Sequence, residues 1–192
     1  MGVPTITTEP MTVEEFYDFT DTRPDNEKWE LIDGEPILNA SPSPLHQWIV
    51  KNLVVALALQ ERATKVSWTV LPGLGVRVSR TNRPEPDVSI IRSGATSQDA
   101  LERDTSEVIV AFEVLSPSTE DRDLRWKRVA YTSLPSLTHY MVIAQDAVDV
   151  AVFAGDAGFV ERHFRSLADS VELPAPGVSL PLAEIYRDTG LT

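Results

Sequence analysis

The chain has 192 residues, 42% of them hydrophobic and 24% charged, which suits a globular domain that buries its own core. It contains no cysteine, so disulfides, thiolate metal sites and a cysteine nucleophile are excluded. The formal net charge of −12 argues against broad, nonspecific adhesion to nucleic acid but leaves room for a local basic groove. The N-terminus lacks a secretory pattern and the apolar runs are too short to cross a bilayer, which predicts a cytoplasmic protein.

The N-terminal part of the chain predicts a helix, a hairpin and a longer second helix. Thr12 and Glu15 form a capping-box pattern at the start of the first helix. Asp33 and Gly34 favour a tight type I′ turn, because both positions of that turn need positive φ angles. Pro44 is typical of the first position of a helix. The predicted elements lie at 12–23, 29–32, 35–39 and 45–63.

The rest of the chain predicts short strands around one more long helix. Ser118 is the expected N-cap of that helix, and Pro135 should end it. Residues 93–106 are polar and predict a loop. The predicted strands lie at 66–71, 75–79, 88–91, 109–115, 140–144, 148–153 and 159–164, and the helices at 118–134 and 182–186. This alternation predicts one compact α/β domain.

The most informative feature is a carboxylate inside an apolar strand. Glu113 lies in the run 109–115, whose composition is typical of a strand buried on both faces. An ionised carboxylate there costs several kcal/mol unless a positive group meets it. Lys127 shares one predicted helical face with Leu124 and Tyr131, and this apolar face should point toward the sheet. The helix therefore offers Lys127 as a partner for Glu113.

Asp87, Glu113 and Lys127 would form a hydrolytic site if they converge. Two carboxylates at neighbouring strand ends make a hard oxygen site that suits Mg²⁺ or Mn²⁺. A nearby ammonium can orient a water molecule or offset charge on the phosphorus during phosphodiester hydrolysis. Purely structural readings stay open, with Glu113 in a buried ion pair, Asp87 as a turn residue and Lys127 as a surface lysine.

Positive charge is concentrated in two short groups despite the acidic composition. Such groups are typical either of a local basic groove or of solvated surface. Their members are Arg77, Arg80 and Arg83, and Arg122, Arg125, Lys127 and Arg128.

Several segments, taken together, resemble the Uma-two family of endonucleases. They read Trp-Glu-Leu-Ile-Asp-Gly-Glu from Trp29, Ser-Pro-Leu-His-Gln from Ser43, Arg-Pro-Glu-Pro-Asp-Val from Arg83 and Glu-Val-Leu-Ser-Pro-Ser-Thr from Glu113, followed by Asp123, Lys127 and Tyr131. The resemblance implies a restriction-endonuclease-like PD-(D/E)XK domain over 1–192, with a mixed β-sheet core flanked by helices and an N-terminal helix and hairpin. It also implies hydrolysis of DNA with Mg²⁺ or Mn²⁺ as cofactor.

The same resemblance assigns roles to individual residues. Asp87 and Glu113 are the implied metal ligands, with catalytic roles. Lys127 is the implied catalytic lysine, supplied by the helix because the position two residues after Glu113 holds Leu115. Glu30 matches an early acidic residue that joins the metal site in related nucleases. The alternative for Glu30 is a hairpin carboxylate that faces solvent.

Three further groups belong to the same prediction. The backbone carbonyl of Val114 is a metal ligand in similar enzymes. His46, near the start of the second helix, fits the family pattern and either contacts a phosphate or is a structural histidine. Tyr131, one helical turn after Lys127, is expected to pack and position the lysine.

Two functions from different classes follow from these residues. The first is a metal-dependent endonuclease, for which a homodimer is plausible because cutting two strands favours twofold symmetry. The alternative is a non-catalytic regulatory or interaction protein that retains the nuclease fold, in keeping with the negative charge. A third reading, hydrolysis of a smaller phosphate ester, uses the same residues.

Overall fold

A computed structural model of the chain describes residues 9–63, 66–94, 103–116 and 122–192. Its first elements are α1 (Val13–Thr20), β1 (Trp29–Ile32), β2 (Glu35–Leu38), α2 (Pro44–Ala63), β3 (Trp68–Pro72), β4 (Gly75–Val76), β5 (Val88–Arg92), β6 (Asp104–Thr105) and β7 (Val108–Val114). A π-helical turn (Arg122–Lys127) then leads into α3 (Arg128–Thr132), β8 (His139–Ile143), β9 (Val150–Ala154), a 3₁₀ turn (Gly155–Ala157), β10 (Glu161–Phe164), β11 (Ser170–Leu173), β12 (Val178–Pro181) and α4 (Leu182–Ile185).

Local sequence signals fix the N-terminal helix and hairpin. Thr12 Oγ1 accepts a hydrogen bond from the backbone N–H of Glu15, and the Glu15 carboxylate accepts one from the backbone N–H of Thr12. Asp33 and Gly34 have φ angles of 51° and 79° between the antiparallel strands β1 and β2. The predicted capping box and type I′ turn are therefore confirmed.

Six strands form the central mixed sheet in the order β10-β9-β8-β7-β5-β3. β7 and β8 run parallel, and each of the other neighbouring pairs is antiparallel. Alternate residues of β7 serve two cores, because Val110 and Phe112 join the cluster that includes α2, whereas Ala111 joins the cluster that includes Tyr131 of α3. Glu113 has the same parity as Ala111 and so faces α3. The predicted mixed sheet flanked by helices is confirmed.

The structure differs from the sequence prediction in several short elements. β11 and β12 form an antiparallel hairpin in a proline-rich tail where no strand is predicted, and the strand expected at 75–79 ends at Val76. β6 lies inside the predicted loop and pairs with β4. The expected helical cap Ser118 lies outside the described residues, and the following helix begins in the described part as a π-helical turn. In the described ranges, none of the helices has the length and apolar character needed to cross a membrane.

Candidate active site

Asp87 and Glu113 lie at the same end of the central sheet, although they are far apart in sequence. β5 and β7 are antiparallel with Val88 opposite Phe112, so the residue before Val88 and the residue after Phe112 are also neighbours. The backbone N–H of Val114 donates a 2.8 Å hydrogen bond to Asp87 Oδ2. Strand register therefore brings both predicted metal ligands to the same end of the sheet.

The ammonium of Lys127 lies among three buried carboxylates. Lys127 Nζ is 2.8 Å from Glu113 Oε1, 2.9 Å from Glu30 Oε1 and 3.2 Å from Asp123 Oδ1. Lys127 is only 3% exposed, so it points inward as the helical spacing predicts. Among the described residues the contact with Glu113 is a hydrogen bond and the other two are ion pairs, so the ammonium is surrounded by negative charge.

Glu113 and Lys127 titrate far from their ordinary ranges. Burial raises the pKa of Glu113, and although Lys127 opposes this, the nearby carboxylates of Asp123 and Asp87 add to the rise. The pKa of Glu113 therefore lies well above its usual value. Burial lowers the pKa of Lys127, but attraction to Glu113, Glu30 and Asp123 outweighs burial and leaves that pKa well above its usual value. One ammonium is thus shared by three carboxyl groups, which opposes full ionisation of Glu113.

Glu30 is fully buried, with both carboxylate oxygens engaged. Oε1 accepts a 2.7 Å hydrogen bond from the backbone N–H of Glu85 and lies 2.9 Å from Lys127 Nζ. Oε2 accepts a 3.0 Å hydrogen bond from Asn39 and lies 3.2 Å from Arg122 Nη2. The alternative that Glu30 faces solvent is wrong, because its side chain has no exposure. Burial raises the pKa of Glu30, but the nearby charges of Lys127 and Arg122 outweigh burial. The pKa of Glu30 therefore lies below its usual value.

Asp87 is held from both sides by groups that favour its charged form. His46 Nε2 lies 3.2 Å from Asp87 Oδ2, and Lys28 Nζ lies 3.7 Å from Asp87 Oδ1. Burial raises the pKa of Asp87, but the hydrogen bond with His46 and the attraction of Lys28 outweigh it, so the pKa lies below its usual value. The backbone N–H of His46 also donates to Ser43 Oγ, which places this histidine in the first turn of α2.

These side chains line one cavity, which we call the carboxylate cavity, with a volume of about 400 Å³. Its lining includes Lys28, His46, Asp87, Glu113, Asp123 and Lys127. Val114 contributes to the wall beside Glu113. Of the four predicted site residues, Asp87, Glu113 and Lys127 therefore share a cavity, whereas Glu30 supports it from behind through Lys127.

The donor set of the carboxylate cavity fits a hard divalent cation with few protein ligands. Glu113 Oε1 accepts hydrogen bonds from Lys127 and Tyr131, at 2.8 and 3.1 Å, while Oε2 accepts none from the residues that the structure describes. Within those residues no three His, Asp or Glu side chains are arranged to hold a metal ion. Mg²⁺ usually keeps several waters and takes one or two carboxylates, so two protein carboxylates are sufficient.

Sequence reasoning missed several groups that complete this site. Asp123 is among the residues that carry the family resemblance but received no role, although its i, i+4 spacing from Lys127 is a signal for the contact. Lys28 and Asn39 carried no comparable signal, because they flank the hairpin and reach the site only through the fold. His46 was expected to be structural or to contact phosphate, and its contact with Asp87 was not predicted.

The two predicted basic groups are largely neutralised within the fold. Arg77 lies 2.6 Å from Glu14 and 3.1 Å from Asp104, and Arg83 lies 3.1 Å from Glu85. The members of the second group that enter the site, Arg122 and Lys127, contact carboxylates as well. These four basic side chains therefore do not form an open basic groove.

The fold and the carboxylate cavity together define a nuclease-like protein. A crystal structure of "a putative nuclease belonging to DUF820" from Anabaena variabilis has the same fold, with a TM-score of 0.74 and 17% sequence identity over 92% of this chain and 98% of that one. Residues 13–183 match the Uma2 family, which is described as "Putative restriction endonuclease". The chain belongs to this family, which confirms the resemblance seen in its motifs. No curated protein matches the chain.

Proposed function

We propose that this chain is a metal-dependent endonuclease that hydrolyses phosphodiester bonds in DNA. The observation that carries the proposal is the shared cavity in which Asp87 and Glu113 lie beside the buried ammonium of Lys127. Membership of a restriction-endonuclease family supports the same activity. Asp87 and Glu113 would hold Mg²⁺ or Mn²⁺, with the Val114 carbonyl as a further ligand and Glu30 as the least accessible predicted one.

A bound divalent ion supplies Lewis-acid polarisation of the phosphoryl oxygen and lowers the pKa of water. The chain's own residues prepare its ligands. His46 and the Val114 N–H fix Asp87 Oδ2, while Lys127 and Tyr131 fix Glu113 Oε1. Ligand oxygens held in this way need little reorganisation during the reaction.

Lys127 acts mainly through the carboxylates that it contacts. Its bond to Glu113 orients that side chain, and its positive charge offsets part of the negative charge in the cavity. Glu30, through its contacts with Lys127 and Arg122, keeps both cations in place. We propose that Lys127 assists the attacking water through this positive charge at the cavity wall, since its ammonium already lies beside three carboxylates.

Replacing Glu113 tests the proposal directly. Glu113→Gln should abolish Mg²⁺- or Mn²⁺-dependent nicking of supercoiled plasmid, because a neutral amide lacks the negative charge with which a carboxylate holds a hard cation. The fold should survive, because Lys127 keeps contacts with Glu30 and Asp123. The readouts are nicking rate, with and without EDTA, and the far-UV circular dichroism melt.

Glu107→Gln is the matched control, because Glu107 precedes β7 at the end opposite Glu113 and is paired only loosely with Arg92, at 3.7 Å. This variant should nick plasmid at the wild-type rate. Equal nicking by the Glu113 variant would reject the assignment. If the folded wild type cleaves neither plasmid nor RNA nor a small phosphodiester, the non-catalytic regulatory alternative is favoured.

The homodimer stays a prediction. It rests on the symmetry of double-strand cleavage rather than on a contact in this chain. Sedimentation of the purified protein at several concentrations will decide between a monomer and a dimer.

A further inference from the structure

A substrate phosphate that enters the carboxylate cavity needs a positive group with free donor capacity. Lys127 does not offer one, because its ammonium already lies 2.8 to 3.2 Å from three carboxylates. Arg122 also lines the cavity, but its Nη2 donates to Asn39 and contacts Glu30, and its side chain is only 19% exposed. Both cations are therefore held largely within the site.

Lys28, unlike Lys127 and Arg122, has a partly exposed ammonium that the described residues hold only by long ion-pair contacts. Its Nζ lies 3.6 Å from Glu85 and 3.7 Å from Asp87, which are ion-pair distances beyond hydrogen-bonding range. The ammonium makes no hydrogen bond with a described residue, and the side chain is 38% exposed. A hydrated lysine on a flexible stem can therefore turn toward a new anion without breaking a buried bond.

The backbone of Lys28 is nevertheless fixed. Its carbonyl accepts a 2.9 Å hydrogen bond from the backbone N–H of Asn39, next to the paired strands β1 and β2. The hairpin thus holds the Cα beside Asp87 while leaving the ammonium free to move.

Lys28 also stands where two cavities meet. A second cavity of about 480 Å³, which we call the aromatic cavity, is lined by Tyr17, Trp29 and Arg103 among others. In the described part of the chain, Lys28 and Glu85 are the residues that line both cavities. Aromatic and arginine side chains are the groups on which unpaired bases stack. Lys28 supplies the positive charge at this boundary, where a strand that occupied both cavities would pass.

We propose that Lys28 binds a phosphate oxygen of the substrate at the boundary of the carboxylate cavity and the aromatic cavity. The proposal rests on the nuclease function proposed above and adds the residue that contacts the anionic backbone of the strand. Lys28 belongs to none of the basic groups seen in the sequence, and the structure alone singles it out.

The test compares variants that remove the same charge at two places. Lys28→Gln should lower kcat/KM for Mn²⁺-dependent nicking by about 10- to 100-fold, the usual effect of losing a charge-assisted contact. Lys28→Arg should restore much of the rate. Lys51→Gln is the matched control, because Lys51 is exposed on α2 over the Trp48 ring, 4.8 Å from its centroid, and lines neither cavity. It should stay within about twofold of wild type.

A binding measurement makes the result independent of cleavage. Titration of thymidine 3′,5′-bisphosphate in Ca²⁺ should give about tenfold weaker binding for Lys28→Gln than for Lys51→Gln. If the two variants nick and bind alike, or if the wild type does not bind the bisphosphate, the proposal is overturned. All variants should melt within a few degrees of wild type, since the Lys28 side chain makes no hydrogen bond with any residue in the described ranges.

The two proposals fail in distinguishable ways. If Glu113→Gln nicks like wild type, or the wild type does not nick at all, the proposed function fails. The bisphosphate titration then still tests whether Lys28 binds phosphate. If Glu113→Gln is inactive while Lys28→Gln matches Lys51→Gln, the nuclease function stands and the Lys28 assignment is wrong.

Discussion

Glu30 and Glu113 show how environment separates two residues of the same type. Both are buried and both contact Lys127, yet the pKa of Glu30 is lowered and that of Glu113 is raised. Counting described residues alone, Glu30 has four hydrogen-bond or ion-pair partners, whereas Glu113 has two, both on one oxygen. We infer that Glu30 positions its neighbours, while Glu113 keeps one oxygen for a ligand.

Tyr131→Phe tests whether the hydrogen bond that the Tyr131 hydroxyl donates to Glu113 contributes to stability and nicking. The change removes the 3.1 Å hydrogen bond from the tyrosine hydroxyl to Glu113 Oε1 but keeps the buried ring. We expect a loss of about 0.5 to 1.5 kcal/mol in the free energy of unfolding, measured by urea denaturation. Nicking should slow severalfold, because Glu113 loses part of its orientation.

Tyr140→Phe is the control for this prediction. The Tyr140 ring is also fully buried, with its centroid 5.3 Å from that of Tyr131, and its hydroxyl donates to the backbone carbonyl of Asp123. Its loss of stability should be similar and its effect on nicking smaller. Equal rates for the two variants would show that the Tyr131 hydroxyl does not support Glu113.

At the scale of the element, the hairpin of β1 and β2 carries two functional side chains into the site. Lys28 lies just before β1 and Glu30 lies within it. The turn at Gly34 docks against the N-terminal segment, because its carbonyl accepts a 3.1 Å hydrogen bond from the backbone N–H of Met11. The geometry of this turn therefore influences the position of both side chains.

Gly34→Ala should destabilise the protein for two separate reasons. The φ angle of 79° disfavours a residue with a side chain, and an added Cβ would overlap Pro10. Gly94→Ala isolates the first reason, because Gly94 has a φ of 78° and open space around the added Cβ, so the difference between the two variants reports the overlap with Pro10. We expect Gly34→Ala to cost more than about 1 kcal/mol by urea denaturation and Gly94→Ala to cost clearly less. Equal costs would mean that Pro10 moves aside freely.

Elements with strong local signals could be predicted from the sequence, and those set by pairing could not. The capping box at Thr12, the turn at Asp33-Gly34 and the apolar strand around Glu113 are encoded by neighbouring residues. β11 and β12 form because Val171 and Leu173 pack into the main core, which a proline-rich sequence does not reveal. The contacts of Lys28 and His46 with Asp87 likewise depend on how distant elements meet.

At the scale of the whole molecule, the charge of −12 opposes the approach of DNA. Four of the seven residues in the predicted basic groups contact carboxylates, so the fold does not offset this repulsion with an exposed arginine surface there. A divalent ion bound in the carboxylate cavity would reduce the local negative charge beside Asp87 and Glu113. Metal binding and substrate binding should therefore reinforce each other.

A thermal melt of the whole protein measures metal binding. An ion that binds only the folded chain stabilises it by about 2.7 kcal/mol at a hundred times its dissociation constant, which raises the midpoint by roughly 5 to 10 °C for a chain of this size. Mn²⁺ should produce this rise in the wild type and in Glu107→Gln. Asp87→Asn should lose most of it, because it removes one of the two proposed carboxylate ligands that line the cavity. A rise of equal size in Asp87→Asn would place the bound ion elsewhere.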